Sequence, residues 1–370
     1  MQFDFSDEQK ALGDSVRRFF EKECPPEIVR EVLDIDSSYH EGLWKKLGEQ
    51  GFLAAAIPEV YGGVGAGYLE LCLVAQECGR ALAPIPTVSS IYLAAEFLLV
   101  AGTEAQKQAW LPKLANGEVI GTLALSEGPG EPRPSTISAK VSGGRLSGKK
   151  IAVLDGSSAD VAVVMANDES GAPSLFLVEL AGEGVTRVPI KTIDPSRKAS
   201  QLIFEGAPAT PLGKSGEGFS ILNNVRDRAA ILVAFEQIGG AEAALEMACN
   251  YARDRYAFGR QIGSFQGLKH MLADGYVALE LARSNCYYGA WALSADAATL
   301  TSVTAHSRVA ATIAYQQISA NTIQTHGGMG FTWEFDCHLY YRRSNALAVM
   351  LGGPSFWEDR LVAAISTQAA

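Results

Sequence analysis

The strongest constraint on the fold is a change of pattern in the middle of the chain. Between about residues 119 and 211, apolar residues gather in short β-rich runs that Gly, Ser, Pro and Asp separate. The runs are VIGTLAL (119–125), IAVL (151–154), VAVVMA (161–166), LFLVEL (175–180) and VTRV (185–188). This spacing predicts a small antiparallel barrel or sandwich.

Helical patterns precede and follow that segment. Ser6 and Gln9 have the spacing of a capping box, in which each side chain satisfies a backbone N–H at the helix start. Long stretches rich in Ala, Leu and Ile run from about Gly216 to the last residue. We therefore expect an α+β fold that is mainly α. Its predicted domains are helical (1–118), β (119–213) and helical again (214–370).

The charge and composition of the chain disfavour some function classes. The 370 residues carry a net charge of −10, which is poorly suited to nucleic acid because that binding depends on basic phosphate contacts. The longest apolar stretches are interrupted by Glu96 and Glu236, so we expect no membrane span. The first residues lack the basic and apolar regions of a signal peptide. The six cysteines form no C-x-x-C pair and no zinc-type cluster, which favours reduced thiols in a cytoplasmic protein without a metal.

Two motifs carry residue types that suit a phosphorylated ligand. The first is RDRYAFGRQIGSFQ (253–266), where a helical pattern gives way to a turn. Its Arg255 can pair with phosphate oxygens through a planar fork, and Gly259 permits close backbone approach. By pattern alone, a surface arginine in a turn that ends a helix is the favoured interpretation.

The second motif is QTHGGMGF (324–331), at the end of another helical pattern. Its glycines either end the helix as a simple cap or leave room for a flat or phosphorylated ligand. Taken singly, this motif does not decide between the two. His326, within it, is more typical of a hydrogen-bonded residue at a helix end than of a ligand contact.

Together the two motifs resemble those of the flavin-dependent acyl-CoA dehydrogenases. That family has R-x-x-F-G, a Gln a few residues later, and Q-x-x-G-G-x-G-F some sixty residues beyond. Two N-terminal segments are also similar to sequences of the family: PEVYGGVG (58–65) and GTEAQKQAWLPKLANGE (102–118). The resemblance runs from the first helix to about residue 343. It implies an N-terminal helical domain, a central small antiparallel β-barrel and a C-terminal four-helix bundle.

The resemblance also implies a cofactor, a reaction and partners. The cofactor is FAD, which spans a subunit boundary, and the reaction is α,β-desaturation of an acyl-CoA. A carboxylate removes the α-proton, and a hydride passes from the β-carbon to the flavin. The usual electron acceptor is an electron-transfer flavoprotein. The residues implied to hold the pyrophosphate and adenosine half of FAD are Arg255, Phe258, Gln266, Gln324, Gly327 and Gly328.

The sequence departs from the family where the catalytic base belongs. Counting from Gly327, the usual glutamate falls on Leu351, and counting back from Arg255, the alternative position falls on Ala229. Neither residue is acidic, so the catalytic residue is unassigned.

The sequence also departs where the family contacts the flavin ring. The W-[IV]-[ST] run becomes AVL, with Ala152 for the tryptophan and Leu154 for the hydroxyl-bearing residue. The preceding T-E-P-x-x-G-S-D loop becomes SEGPGEPRPST (126–136), which keeps Glu127.

One half of the flavin site is therefore retained and the other is altered. This asymmetry resembles the two-subunit, α2β2 acyl-CoA dehydrogenases of bacterial steroid side-chain degradation. It predicts a subunit that lacks the base and serves a paralogous partner. Two alternatives stay open. One is a self-sufficient enzyme whose base has moved to Glu334, Asp336, Asp227 or Glu236, and the other is a non-catalytic binding or scaffold subunit.

Overall fold

A computed structural model describes residues 5–34 and 39–369. Its first part is helical, as expected. The helices are α1 (Asp7–Glu23), α2 (Pro26–Asp34), α3 (Glu41–Glu49), α4 (Tyr68–Arg80), α5 (Glu96–Ala101) and α6 (Glu104–Ala115). The start of α1 confirms the predicted capping box. The Gln9 backbone N–H donates to Ser6 Oγ at 3.2 Å, and the Ser6 N–H donates to Gln9 Oε1 at 2.9 Å.

A π-helix, Val88–Ala95, runs directly into α5, and all its residues are buried. Two of its serines bond to the β segment. Ser89 Oγ donates to Asp155 Oδ2 at 2.6 Å, and Ser90 Oγ accepts from the Gly121 N–H at 3.1 Å. Hydroxyl groups thus satisfy polar atoms in an interior where unpaired groups would be costly.

The middle of the chain forms one eight-stranded sheet. Its strands are β1 (Gly121–Ala124), β2 (Lys140–Ser142), β3 (Arg145–Leu154), β4 (Val161–Asn167), β5 (Pro173–Glu179), β6 (Val185–Ile190), β7 (Ala199–Pro208) and β8 (Thr210–Leu212). The α+β class with a central sheet is confirmed.

The expected closed, antiparallel barrel is not confirmed. The pairing path runs β6-β7-β3-β2-β4-β5-β8, with β1 beside β4, and the strands of residues 121–212 do not close on themselves. The sheet is also mixed, because β1 and β2 both pair with β4 in parallel. Parallel neighbours are joined through distant chain segments, so local strand patterns cannot reveal them.

The last part is again helical. Its helices are α7 (Gly218–Asp254), α8 (Gln266–Ser294), α9 (Leu300–His326), α10 (Cys337–Val349) and α11 (Pro354–Ala369). Two short strands, β9 (Tyr256–Ala257) and β10 (Arg260–Gln261), interrupt the helices after α7. They pair antiparallel and form a hairpin.

The chain divides into two compact units. The first contains residues up to Val29, Tyr68–Ala83 and everything from Ala230 onward. The second contains Arg30–Gly67 and Pro84–Ala229, including the sheet. The three-part domain division remains a prediction.

Within residues 5–34 and 39–369, no helix is both long and apolar enough to cross a membrane. All six cysteines are free thiols, and burial raises the pKa of the Cys286 thiol to about 12. In that described part of the chain, no group of three or more His, Cys, Asp or Glu side chains could hold a metal ion.

Candidate cofactor site

The first predicted motif forms a hairpin with a two-residue turn. Phe258 and Gly259 lie between β9 and β10, with φ angles of 54° and 78°. Two successive positive φ angles are typical of a type I′ turn, whose twist matches that of paired strands. A phenylalanine in this conformation is strained by roughly 1–2 kcal/mol. Its side chain is 95% exposed, so the turn presents an aromatic ring to the surroundings.

The ring of Phe265 contacts two residues of the hairpin, Arg260 and Phe258. The Arg260 guanidinium lies 4.0 Å from the centre of the Phe265 ring, and Phe258 meets the same ring edge-on at 6.2 Å. The Ile262 N–H closes the loop by donating to the Arg255 carbonyl at 2.8 Å. These contacts fix the base of the hairpin while the tip stays uncovered.

The second predicted motif ends α9. Gly327 follows His326 with φ +59°, a conformation that other residues adopt only with strain. A Cβ atom built on Gly327 or Gly328 would have no atom within 4 Å, so the backbone here is open to approach. A Cβ at Gly330 would lie 2.5 Å from the Ile323 carbonyl oxygen. The third glycine is therefore required by packing, and the first two leave space.

An aromatic contact joins the second motif to the end of the helix that precedes the first. The Tyr251 ring, near the end of α7, stacks on His326 at 4.2 Å, and Phe335 meets His326 edge-on at 5.8 Å. His326 Nδ1 lies 2.8 Å from the Thr322 carbonyl oxygen. The prediction that His326 is a hydrogen-bonded residue at the helix end is confirmed. Tyr251 and Phe335 were not singled out from the sequence, where only their aromatic character marked them.

All six predicted cofactor residues are exposed: Arg255, Phe258, Gln266, Gln324, Gly327 and Gly328. Among the residues that the structure describes, the side chains of Arg255, Gln266 and Gln324 make no hydrogen bond or ion pair. Their donors remain available for another molecule. A guanidinium, two amides and an open glycine backbone fit the pyrophosphate and adenosine half of FAD, because phosphate oxygens require such donors.

The side chain of Leu351, at the usual position of the base, packs against apolar residues. It contacts a buried cluster of Ala230, Ala305 and Trp357. Its backbone lies in the left-handed region, with φ +62°. Ala229, at the alternative position, is completely buried. Neither position offers a carboxylate to a substrate.

A buried arginine holds the segment around Leu351. Arg308 Nη2 donates to the carbonyl oxygens of Leu347 and Met350 at 2.9 and 3.0 Å. Burial lowers the pKa of Arg308 to about 10, so the group stays charged at neutral pH. Trp357 Nε1 donates to the Gly352 carbonyl at 3.1 Å. These bonds fix the loop in a shape that keeps Leu351 packed inward, and no sequence motif revealed this role of Arg308.

The four candidates for a relocated base lie in different environments. Asp227 and Glu236 are buried on α7, whereas Glu334 is exposed and Asp336 is the N-cap of α10. All four already take part in interactions with other residues. None is an unengaged carboxylate in an apolar pocket, which is the setting expected for a general base.

The expected flavin-ring contacts are altered in the second compact unit. Ala152 has φ +52°, and the register between β3 and β7 shifts between Lys150 and Val153. The Leu154 carbonyl accepts from Thr122 Oγ1 at 2.6 Å. This irregular strand offers neither the aromatic ring nor the hydroxyl that the resemblance led us to expect, so these residues do not fit a flavin ring.

Glu127 is held in a buried ion pair. Lys150 Nζ, fully buried, lies 2.6 Å from Glu127 Oε1. Burial opposes ionisation of Glu127, but hydrogen bonds from Lys150 and Ser138 outweigh it and lower the pKa of the carboxyl. Burial also lowers the pKa of Lys150. The pair stabilises the 126–136 loop and leaves Glu127 unsuited to removing a proton.

The same loop surrounds a cavity of about 250 Å³. Its lining includes two carboxylates, Glu127 and Glu131, and no arginine or lysine. Arg226 is committed to Glu131, with Nη2 and Oε1 2.6 Å apart. This cavity therefore lacks the positive charge that an anionic cofactor or CoA phosphate requires.

Comparison with known proteins decides the family. A model of the acyl-CoA dehydrogenase N-terminal domain matches residues 6–118, and one of the C-terminal domain matches residues 216–362. The acyl-CoA dehydrogenase IpdE2 of Mycobacterium tuberculosis is 35% identical over 351 residues, 94% of each chain. The chain belongs to the acyl-CoA dehydrogenase family. Its members are oxidoreductases that act on the CH–CH bond of acyl-CoA thioesters.

Two solved structures also match the chain over almost its whole length. The ChsE4-ChsE5 complex from Mycobacterium tuberculosis matches with a TM-score of 0.90 and 29% identity, covering 99% of both chains. A variant of the steroid acyl-CoA dehydrogenase Tcur3481-Tcur3483 matches with a TM-score of 0.87 and 30% identity, covering 98% and 99%. Both likenesses extend over almost the whole chain.

Proposed function

We propose that this protein is the subunit without the catalytic base in a two-subunit acyl-CoA dehydrogenase. It contributes the pyrophosphate and adenosine half of an FAD site to a paralogous partner. FAD is the cofactor of the family. When bound, it accepts the hydride that leaves the β-carbon of the acyl group. The partner supplies the ring pocket and the carboxylate that removes the α-proton.

One observation carries this proposal. The polar side chains of Arg255, Gln266 and Gln324 are exposed and unengaged in the described chain, whereas Glu127 is neutralised by Lys150. If the cofactor site had been lost by random mutation, we would expect changes in both halves of the site and not in the half that contacts the flavin ring alone. Retention of the phosphate side alone is what a shared site requires.

Exposure of apolar side chains near the motifs supports a partner. Phe258 is 95% exposed and Phe331 81% exposed. A partner that covered these rings would remove a large apolar area from water. The strain at Phe258 also favours a functional role, because strained residues persist where the site needs them.

Leu351 and Ala229 support the absence of a base. One packs against Trp357 and the other is completely buried, so a substrate in this chain would meet no carboxylate at either position. Removal of an α-proton needs a carboxylate within hydrogen-bond reach. The partner therefore provides it.

The substrate proposed is the CoA thioester of a steroid side chain or another bulky acyl group. The likeness to the steroid acyl-CoA dehydrogenase Tcur3481-Tcur3483 supports this substrate class, and the likeness to the ChsE4-ChsE5 complex supports a paired assembly. We propose an α2β2 assembly, an electron-transfer flavoprotein as acceptor and a cytoplasmic location as parts of the same model.

The test is co-expression of this chain with a paralogous acyl-CoA dehydrogenase subunit. We expect the chain alone to be colourless and the purified pair to hold about one FAD per two polypeptides. The Arg255→Gln variant of the pair should lose flavin, whereas Arg18→Gln, which changes an exposed arginine on α1, should not. Stoichiometric FAD on the chain alone, with turnover of an acyl-CoA, would show that the site is complete without a partner.

A further inference from the structure

Arg308 carries a buried positive charge that lacks a carboxylate partner. Its side chain is completely buried, and in the part of the chain that the structure describes no Asp or Glu forms an ion pair with it. Other buried cations are paired. Lys150 lies 2.6 Å from Glu127, and Arg228 lies 2.9 Å from Glu96. Because an isolated charge is costly to bury, Arg308 requires a further explanation.

The hydrogen-bond acceptors around the Arg308 guanidinium are all neutral. Nη1 donates to Gln237 Oε1, and Nη2 donates to the carbonyl oxygens of Leu347 and Met350. The centre of the Trp357 ring lies 5.9 Å from the guanidinium carbon. These dipoles and this ring lower the cost of burial. They do not neutralise the charge.

The Cys286 thiol, from α8, lies close enough to affect the charge on Arg308. A thiolate there would be a counter-ion. Burial raises the pKa of this thiol to about 12, so it is uncharged at neutral pH. The positive charge therefore remains without a negative partner under ordinary conditions.

One donor of the guanidinium is also unused. Arg308 Nε is buried and has no hydrogen-bond acceptor among residues 5–34 and 39–369. Arg308 lines a cavity of about 40 Å³ between α9 and α11. Ligand pockets usually have roughly 300–1,000 Å³, whereas one water needs roughly 10–15 Å³. This cavity therefore has room for a few waters or a small ion and excludes a larger organic ligand.

Two further side chains that line the cavity can donate hydrogen bonds. Thr312 Oγ1 accepts from Gln237 Nε2 at 3.0 Å, and its own hydrogen has only a long contact, 3.5 Å, with Gln237 Oε1. Gln316 Nε2 gives one hydrogen to Asn345 Oδ1 at 3.1 Å and keeps a second. A guanidinium, a hydroxyl and an amide suit an anion, because each offers a donor.

The cavity opens to solvent beside Ile313, Pro354 and Glu358, which are exposed. Glu358 is the carboxylate of the lining, and solvent screens its charge. The charge of Arg308 acts in the interior, where the effective dielectric constant is lower. An anion in the cavity is therefore attracted more strongly by Arg308 than it is repelled by Glu358.

We propose that this cavity binds one small inorganic anion, of the size of chloride, as the counter-ion of Arg308. A water could accept from Nε but would bring no charge, whereas an anion supplies both. Since Arg308 also holds the carbonyls of Leu347 and Met350, an anion that fixes the guanidinium fixes the loop after α10. The site uses no group assigned to FAD, and its test needs no partner subunit.

Bromide is the probe, because its anomalous scattering locates it in crystals of the full chain. We expect one bromide in contact with Arg308 Nε, and its displacement by chloride. In solution, chloride and bromide should each stabilise the chain saturably against heat. Gluconate at the same ionic strength is too large for the cavity and should not. At ten times its dissociation constant, the halide should lower the unfolding equilibrium constant about 11-fold.

Variants at the mouth of the cavity separate the anion from a carboxylate of the chain itself. Glu358→Gln should tighten bromide binding about 2- to 3-fold, because it removes an exposed repulsive charge. Asp359→Asn neutralises the next exposed carboxylate, which does not line the cavity, and should change the affinity less. Arg308→Lys keeps a charge without Nε and should abolish the stabilisation that is specific to halides.

Three results would overturn the proposal. The first is a crystal without bromide at Arg308, and the second is equal stabilisation of the chain by gluconate and chloride. The third is a loss of stability without halide that is clearly larger in Glu358→Gln than in Asp359→Asn. That last result would mean that Glu358 itself neutralises Arg308 and that no external anion is needed.

Discussion

Tyr251 stacks on His326 with ring centroids 4.2 Å apart, and this contact joins the ends of α7 and α9. Tyr251 lies just before the first predicted cofactor motif, and His326 lies within the second. The hairpin with Arg255 and the open glycines at Gly327 are therefore positioned by one aromatic pair. Neither ring needs to touch the cofactor to affect its binding.

Tyr251→Ala should lower the FAD affinity of the co-expressed pair by about 3- to 10-fold, since a stacked aromatic contact is worth roughly 0.5–1.5 kcal/mol. Tyr251→Phe keeps the ring and is the matched control. Flavin retained after dialysis, measured by absorbance per polypeptide, gives the readout. Equal flavin loss from both variants would mean that the hydroxyl matters and the stack does not.

Phe258→Asn should stabilise the isolated chain and weaken the assembly. Asparagine tolerates the positive φ of a type I′ turn, so relief of strain should add about 0.5–1 kcal/mol to the free energy of unfolding. The same change removes the exposed aromatic ring. We expect less FAD per pair although the chain itself is more resistant to urea. A parallel loss of stability and flavin would contradict the assignment of this ring to the partner's cofactor.

Leu351→Glu should not create a working base. The side chain packs against Trp357 and Ala305, and placing a carboxyl there should cost about 1–3 kcal/mol of unfolding free energy. Leu351→Met, of similar volume, should cost less than about 1.5 kcal/mol. Urea denaturation and acyl-CoA turnover of the isolated chain check both statements. Turnover by the glutamate variant alone would show that only the base had been missing.

The Lys150–Glu127 pair should behave as a coupled unit. Lys150→Met or Glu127→Gln alone leaves a buried charge without its partner, which should cost about 3–5 kcal/mol. The double variant should cost clearly less than the sum of the two single changes. Additive losses in the double-mutant cycle would indicate that the two groups act independently.

The same pair predicts a dependence of stability on pH. Hydrogen bonds from Lys150 and Ser138 lower the pKa of Glu127 below the value of an unfolded glutamate, about 4.3. Its contribution is therefore present above about pH 4.3 and is lost as the pH falls through the folded pKa. Urea denaturation between neutral and acidic pH should show this loss in the wild type. The loss should be absent in Glu127→Gln.

The sequence predicted features that depend on neighbours along the chain. The capping box of Ser6 and Gln9 and the helix-ending glycines were visible because such signals lie within a few residues. The strand β7, Ala199–Pro208, was missed because its apolar run is short and ends in Glu, Gly and Ala.

Other features depend on residues far apart. The parallel pairing of β1 with β4 and the Arg308 bonds to Leu347 and Met350 could not be predicted, since each joins distant segments. The six cofactor positions were predicted from the similarity of two sequence motifs to those of the family. That all six are exposed, and can therefore contact another molecule, was known only from the structure.

The exposed ring of Phe258 has a consequence for the cell as well as for the cofactor. In the proposed assembly, a subunit made in excess of its partner would carry uncovered aromatic surface and would be prone to self-association and degradation. Balanced synthesis of the two chains would protect it. In that assembly, the exposed tip of one hairpin would make the stable amount of this protein depend on the amount of its partner.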